Sequence, residues 1–209
     1  MFSKLPLEDF VKELSSKAST PGGGSASSIV AAFSFSLITK TLEIANKKAQ
    51  SKDIQTMIEK ARELIDYFLE LADKDTNAFN EVMKAYKLPR ENEEERAVRE
   101  LHIQESLKLA SEVPLELLKH IAEHIQFLEE SLRYCPNSAI SDYITAIGLL
   151  EGAFEGGMAN VIINLNAIKD RTYNENVRSV LNRLESDFKN SVNAIKKNAK
   201  YRLNVQEGE

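Results

Sequence analysis

The sequence predicts an all-α protein: one multihelical bundle of six or seven helices spanning residues 1–209 as a single domain. Three observations predict it. β-branched alternation never persists for five residues, so the period of a strand is missing. Apolar residues instead recur at helical spacing through most of the chain. Prolines and short polar clusters fall where helices of ordinary length would end.

The elements follow in order. A short helix runs from about Pro6 to Lys17, with proline at its start and Leu7, Phe10, Val11 and Leu14 on one face. Residues 20–25 read TPGGGS and form a loop. A second helix follows from Ala26 to about Ala49 and carries no charge before Lys40. Ser51-Lys52-Asp53 breaks it, and Asp53 is placed to cap a third helix that ends at Tyr86, just before Leu88-Pro89. RENEEE at 90–95 makes a solvated connector and an acidic first turn for a fourth helix over 93–111. Pro114 kinks that helix or starts the next, which reaches about Tyr134. Cys135-Pro136 is the following break. The pattern is helical again from Asn137 to about Ile168, with Gly156-Gly157 inside it. The last helix, about 172–202, is strongly charged and ends in a frayed polar tail. No internal repeat, low-complexity run or linker divides the chain.

The hydrophobic fraction of 43% is enough for a core, and the 28% of charged residues intersperse both signs. A net charge of −5 argues against nucleic acid as the main partner, because phosphate binding needs a basic face. It does not argue against a small anionic ligand. A single cysteine, Cys135, forms no internal disulfide and fits a reducing compartment. The N-terminus lacks the apolar run and cleavage site of a signal peptide. The uncharged stretch from Ala18 to Thr39 holds three glycines, a proline and many serines, so it reads as a buried helix rather than a bilayer span. The expectation is a cytoplasmic protein with no membrane partner. The second helix is apolar or small almost all round, which predicts burial on every side, in a monomer core or at a subunit interface. In a chain of this size the interface is the more economical reading.

Several residues stand out as candidates for chemistry. Gly22-Gly23-Gly24 costs backbone entropy, roughly 0.5–1 kcal/mol per glycine against alanine, so the loop is expected to have a backbone task. That task is close approach to something, with the first free N–H groups of the helix directed at it. On the third helix Ala61, Ile65, Phe68, Ala72, Asp75, Phe79, Val82 and Tyr86 share a stripe in which only Asp75 is charged. It is either a salt-bridged or helix-capping aspartate, or a carboxyl poised for proton transfer or for gripping a polar ligand. Asp73 lies on another face and is expected to be solvated. In the fifth stretch Asp142 sits on a small-residue face with Ser138, Ala146, Leu149, Ala153 and Gly157, which allows tight packing or a ligand groove. Asn160 and Asn164 continue that face, but five turns carry Asn160 roughly 27 Å from Asp142. Either the glycine pair bends the helix, or the ligand is long, or the two ends serve different copies of a site across a dimer axis. The asparagines by themselves read as helix-to-helix hydrogen bonds. His120 and His124 have a chelating i, i+4 spacing, yet no HExxH pattern and no carboxylate fixed by sequence accompanies them, so no metal is expected. TPGGGS lacks the lysine of a P-loop, and no strand precedes it.

The ordered set TPGGGS, DKDTNAF with VMKAYKLP, SEVPLEL, SDY and NVIINL resembles the cyclodeaminase domain of formiminotransferase-cyclodeaminase. It also resembles the free-standing bacterial and archaeal relatives that include methenyltetrahydrofolate cyclohydrolases. The similarity runs over almost the whole chain. It implies an all-helical subunit of a homodimer, with a folate site at or near the interface and no metal or redox cofactor. It implies ring closure on 5-formiminotetrahydrofolate to 5,10-methenyltetrahydrofolate with release of ammonia. A cyclohydrolase on the same scaffold and a non-catalytic folate-binding helical protein are the alternatives. Asp75 and Asp142 are then the expected general acid and base. Pro21, Gly22, Gly23, Gly24, Ser25, Ser141, Asn160 and Asn164 are the expected substrate-binding residues, and Lys87 in the KAYKLP segment is the cation for a folate carboxylate. The chain departs from the family at Cys135-Pro136, where relatives often have Gly-Asn, and at Phe33 and Phe35, where relatives keep smaller or more flexible residues.

Overall fold

A computed structural model describes residues 1–204, and the end of the expected polar tail lies outside them. Seven α-helices are present among the described residues: α1 (Leu7–Leu14), α2 (Gly23–Ala49), α3 (Lys52–Tyr86), α4 (Glu93–Glu123), α5 (Ile125–Tyr134), α6 (Ile140–Leu165) and α7 (Arg171–Asn204). Two short 3-10 turns, Phe2–Lys4 and Asn137–Ala139, precede α1 and α6. No strand occurs among the described residues.

Helices α2 and α6 are the centre of the bundle. They run antiparallel, as two contacts at opposite ends require: Gly23 lies against Asn160, and Lys40 pairs with Asp142. Between them the Ser34 hydroxyl donates to the Ala146 carbonyl at 2.7 Å. Helix α3 packs antiparallel along another side of α2, with Ser25 on Asp75 at one end and Arg62 on Glu43 further along. Helix α4 packs on α3 and α6, and α7 covers α6 through the stacked rings of Phe154 and Phe188. A small cluster of Phe10, Ile29 and Ala72 lies beside the first helix, and the main core cluster has Phe35, Phe68, Tyr143 and Phe154 fully buried. Burying a side chain of this size contributes about 1.5–3 kcal/mol. Phe35, at one of the family departures, packs on Phe68 with ring centroids 5.4 Å apart and the planes tilted by 33°, and belongs to this core.

Four local expectations are corrected. Helix α2 begins at Gly23 rather than Ala26, with Gly22 as its extended N-cap, so two of the three glycines are helical. Asp53 is in the first turn of α3, and Ser51 holds the N-cap position. Pro114 neither kinks α4 into a new helix nor ends it: α4 runs on to Glu123, and the break falls at His124. Proline at 114 removes the N–H that would bond the Ala110 carbonyl. That carbonyl instead accepts from Asn164 Nδ2 of α6 at 3.1 Å, which removes the penalty of an unmade bond. Asp73 is not left to water, because it accepts from both the backbone N–H and the hydroxyl of Ser3 and ties the first turn to α3. At the other terminus Arg202 donates to the Leu132 and Cys135 carbonyls and to Asn137, capping α5 from α7.

Helix α2 is not buried all round within one chain. Phe33 is 43% exposed and Ile44 38%, and Ala26, Val30 and Leu37 on the same stripe are half-buried. Beside it α6 presents Ser141, Thr145, Gly148, Gly152 and Ala159 to solvent. The two helices thus share one exposed face that is apolar or small-residued.

Candidate functional site

The first turn of α2 meets α3 and α6 at one point. The Ser25 hydroxyl donates to Asp75 Oδ2 at 2.8 Å and lies 3.1 Å from the Thr76 hydroxyl. The Ser25 backbone N–H also bonds the Asp75 carboxylate. Asp75 therefore caps α2 across the helix boundary, where Gly22 has no side chain to do so. Burial pushes the Asp75 carboxyl above its ordinary range, and the two Ser25 hydrogen bonds pull it part of the way back.

The glycines make this contact possible. A Cβ on Gly24 would stand 2.1 Å from Asp75 Oδ1 and 2.5 Å from its Cγ. A Cβ on Gly23 would stand 2.9 Å from Asn160 Nδ2. No glycine in the described residues has positive φ, so the requirement is for space and not for an unusual backbone conformation. Gly156 of α6 faces the same turn, where an added Cβ would come within 2.2 Å of Ser27 Oγ. The Ser27 hydroxyl in turn donates to the Gly23 carbonyl at 2.7 Å. Helix α6 is continuous through Gly156 and Gly157, which let it approach α2 and α4.

Around this point Gly22, Gly23, Gly24, Ser25, Asp75 and Asn160 are together, with Pro21 buried beside them in the chain. Asn160 commits its amide nitrogen to the Gly156 carbonyl. The Gly23 and Gly24 N–H groups belong to the first turn and have no partner within the helix, the arrangement that holds anions and polar ligand edges. Thr76 and Ser27, which the sequence did not single out, complete the cluster with Gly156, which it offered only as a bend. Thr76 follows Asp75 directly in the DKDTNAF segment, which was the available signal.

Other candidates lie elsewhere in the single chain. Asp142 is near the start of α6 and pairs with Lys40 Nζ at 2.8 Å, a partly exposed contact. It is eighteen residues from Asn160 on an unbroken helix, roughly 27 Å away, so one chain does not bring the two acids to a shared cavity. Ser141 is exposed next to it. Lys87 is the exposed C-cap of α3, about 18 Å beyond Asp75 along the helix. Asn164 is the helix-to-helix bond described above, patching the gap that Pro114 leaves. The histidine pair is also different from expectation: Glu123 supplies the neighbouring carboxylate that sequence spacing had not assigned.

The sequence profile described as formiminotransferase-cyclodeaminase matches residues 6–183. The chain is 33% identical over 173 residues to a methenyltetrahydrofolate cyclohydrolase of Methylorubrum extorquens, covering 81% of this chain and 83% of that protein. It is 31% identical over 191 residues to the formimidoyltransferase-cyclodeaminase of Mus musculus, covering 88% of this chain. There it spans 35% of the longer enzyme's length. A crystal structure of formiminotetrahydrofolate cyclodeaminase from Thermotoga maritima superposes with a TM-score of 0.79 at 28% identity, over 94% of this chain and 96% of that one. The match covers both central helices and the glycine turn with its aspartate, and the chain belongs to the formiminotransferase-cyclodeaminase family.

Proposed function

We propose that the chain is a formiminotetrahydrofolate cyclodeaminase, closing 5-formiminotetrahydrofolate to 5,10-methenyltetrahydrofolate with loss of ammonia. The observation that carries this reading is a carboxyl of raised proton affinity held at a glycine-lined helix start. In the reaction N10 adds to the formimino carbon and its proton leaves. The exocyclic nitrogen gains a proton, its bond to carbon breaks, and ammonia departs. Starting from the protonated amidine, the proton lost at N10 equals the proton gained by the leaving nitrogen. A carboxyl that exchanges that proton serves both steps, and Asp75 is the group we assign to it. Raised affinity suits the role, because it makes the carboxyl a better proton acceptor than an ordinary aspartate. The Gly23 and Gly24 N–H groups and Asn160 are assigned to the folate's polar edge. No metal or redox cofactor is needed for this chemistry.

The apolar face shared by α2 and α6 supports a homodimer. A two-fold axis crossing these helices near their middle superposes the Asp142 end of one chain on the Asp75 end of the other. The second acid then reaches the site from across the interface, with Ser141 beside it, and Lys87 is left to bind a carboxylate of a long, polyglutamylated substrate. A cytoplasmic location fits this substrate. A hydrolase acting on the methenyl compound is the second reading, favoured by the likeness to the Methylorubrum cyclohydrolase over most of both chains. Both reactions pass through a tetrahedral carbon between N5 and N10. Parallel assays decide between them: ammonia release from 5-formiminotetrahydrofolate, and loss of methenyl absorbance in water. Faster ammonia release is expected. Methenyl hydrolysis with no ammonia release selects the second reading, and inactivity on both substrates with folate still bound selects a binding protein.

A further inference from the structure

A second cluster of chemistry-bearing groups lies where α4 gives way to α5, more than thirty residues in sequence from any member of the glycine-turn site. His120, Glu123 and His124 each place one donor atom within 4.8 Å of the others. The spacing i, i+3, i+4 sets all three on one face of the terminal turn. The His120 ring lies against Tyr67, with centroids 4.1 Å apart, and Tyr67 is held by its hydrogen bond to Glu116. His120 Nδ1 is cut off from solvent and has no hydrogen-bond partner, while Glu123 Oε2 stands 3.8 Å from it. A buried ring nitrogen without a partner is an unmet requirement. The gap to the carboxylate is too long for a hydrogen bond and of the size an intervening cation bridges. His124 Nδ1 is bonded to the His120 carbonyl at 2.8 Å. Held as a donor there, the ring keeps its lone pair on Nε2, the arrangement in which ligating histidines are usually found.

The surroundings leave a coordination position open. His120 and Glu123 line a cleft of about 500 Å³ between α4 and α7, together with Glu112, Glu116 and Tyr173. We propose that His120, Glu123 and His124 form a binding site for a divalent transition-metal ion of the zinc type, with its remaining positions facing this cleft. Two imidazoles and one carboxylate select such an ion over magnesium or calcium, which prefer all-oxygen shells. The site is independent of the folate reading: it uses no residue of the glycine turn. Its first consequence is mechanical, since the ion joins the last turn of α4 to the residue that caps α5.

Titration of the full chain with Zn2+, by calorimetry and by competition with a chromophoric chelator, tests the site. One ion per chain is expected, with Mg2+ failing to compete. His124→Ala and Glu123→Gln are each expected to weaken binding by about tenfold or more, losses of the order seen when a metal shell is disturbed. Both residues are accessible enough for the variants to fold, which circular dichroism verifies. His102→Ala, outside the cluster, is expected to bind like the wild type. Co2+ bound to the wild type should give visible d–d bands that His124→Ala lacks. Absence of saturable Zn2+ binding, or wild-type affinity in both variants, overturns the proposal.

Discussion

Replacing Gly24 by alanine puts a methyl group 2.1 Å from Asp75 Oδ1, about 1.3 Å short of ordinary contact. The Asp75 Cγ is also too close at 2.5 Å, so turning the carboxyl about its own axis does not relieve the clash. The whole group must swing away, and with it goes the 2.8 Å bond from the Ser25 hydroxyl. A hydrogen bond to a charged group contributes about 1.5–3 kcal/mol. Alanine returns up to about 1 kcal/mol of helix propensity at a position already helical. Asp75 retains some access to water, so the low end of the first figure applies, and the net loss is about 1 kcal/mol. For a chain of this length that lowers the melting temperature by roughly 2–4 °C. The catalytic effect is expected to be far larger, because a misplaced proton carrier forfeits about 10²–10⁴ in rate. Ammonia release measured beside a thermal melt separates the two quantities. A variant that melts a few degrees low yet turns over at the wild-type rate would refute the link between glycine turn, carboxyl position and catalysis.

Three further outcomes are expected. Gly157→Ala places a Cβ 2.9 Å from Leu118 Cδ2 in the core and should cost about 1–3 kcal/mol by overpacking. Gly156→Ala meets only a Ser27 hydroxyl that can rotate away, so lost bond and gained propensity nearly cancel; equal melting temperatures for the two variants would contradict this packing. Phe33→Glu, on the exposed face of α2, should convert a dimer to monomer in sedimentation and abolish turnover together, and an active monomer would remove Asp142 from the site. Because burial raises the Asp75 proton affinity in the folded state, the folded chain holds this proton more tightly than the unfolded one. Its contribution to stability is therefore present below the unfolded pKa of about 3.9 and declines as pH rises through the folded value. Asp75→Asn should remove that decline, so its stability relative to wild type should grow with pH across this window; a constant difference would mean that the group is not perturbed.

Helical spacing made the helical segments legible as six or seven helices, although the boundary between α4 and α5 falls at His124 and not near Pro114. Helix ends were less legible where a partner from elsewhere decides them. Pro114 reads as a break, yet Asn164, fifty residues on, satisfies the carbonyl that proline abandons. TPGGGS reads as a loop, yet the helix already starts at Gly23, where Asp75 of another element accepts from Ser25 in the first turn. The same nonlocality governs the site. Asp75 is visible as a lone charge in an apolar stripe, and the glycines are visible as an expensive run. That they touch is not, because fifty residues separate Ser25 from Asp75 and only the antiparallel packing of α2 and α3 closes that distance. Asp142 reads equally well as a buried acid on a small-residue face, but Lys40 occupies it and that face is open in a single chain.

The role of Asp75 as proton carrier is tested most directly by Asp75→Asn. Asparagine keeps an oxygen to accept from Ser25 and fills the same space beside Gly24, but it cannot carry a proton. A folded protein with unchanged folate binding is expected, with turnover of 5-formiminotetrahydrofolate reduced by about 10²–10⁴. Turnover at the wild-type rate would contradict that role and leave Asp75 as a helix cap alone.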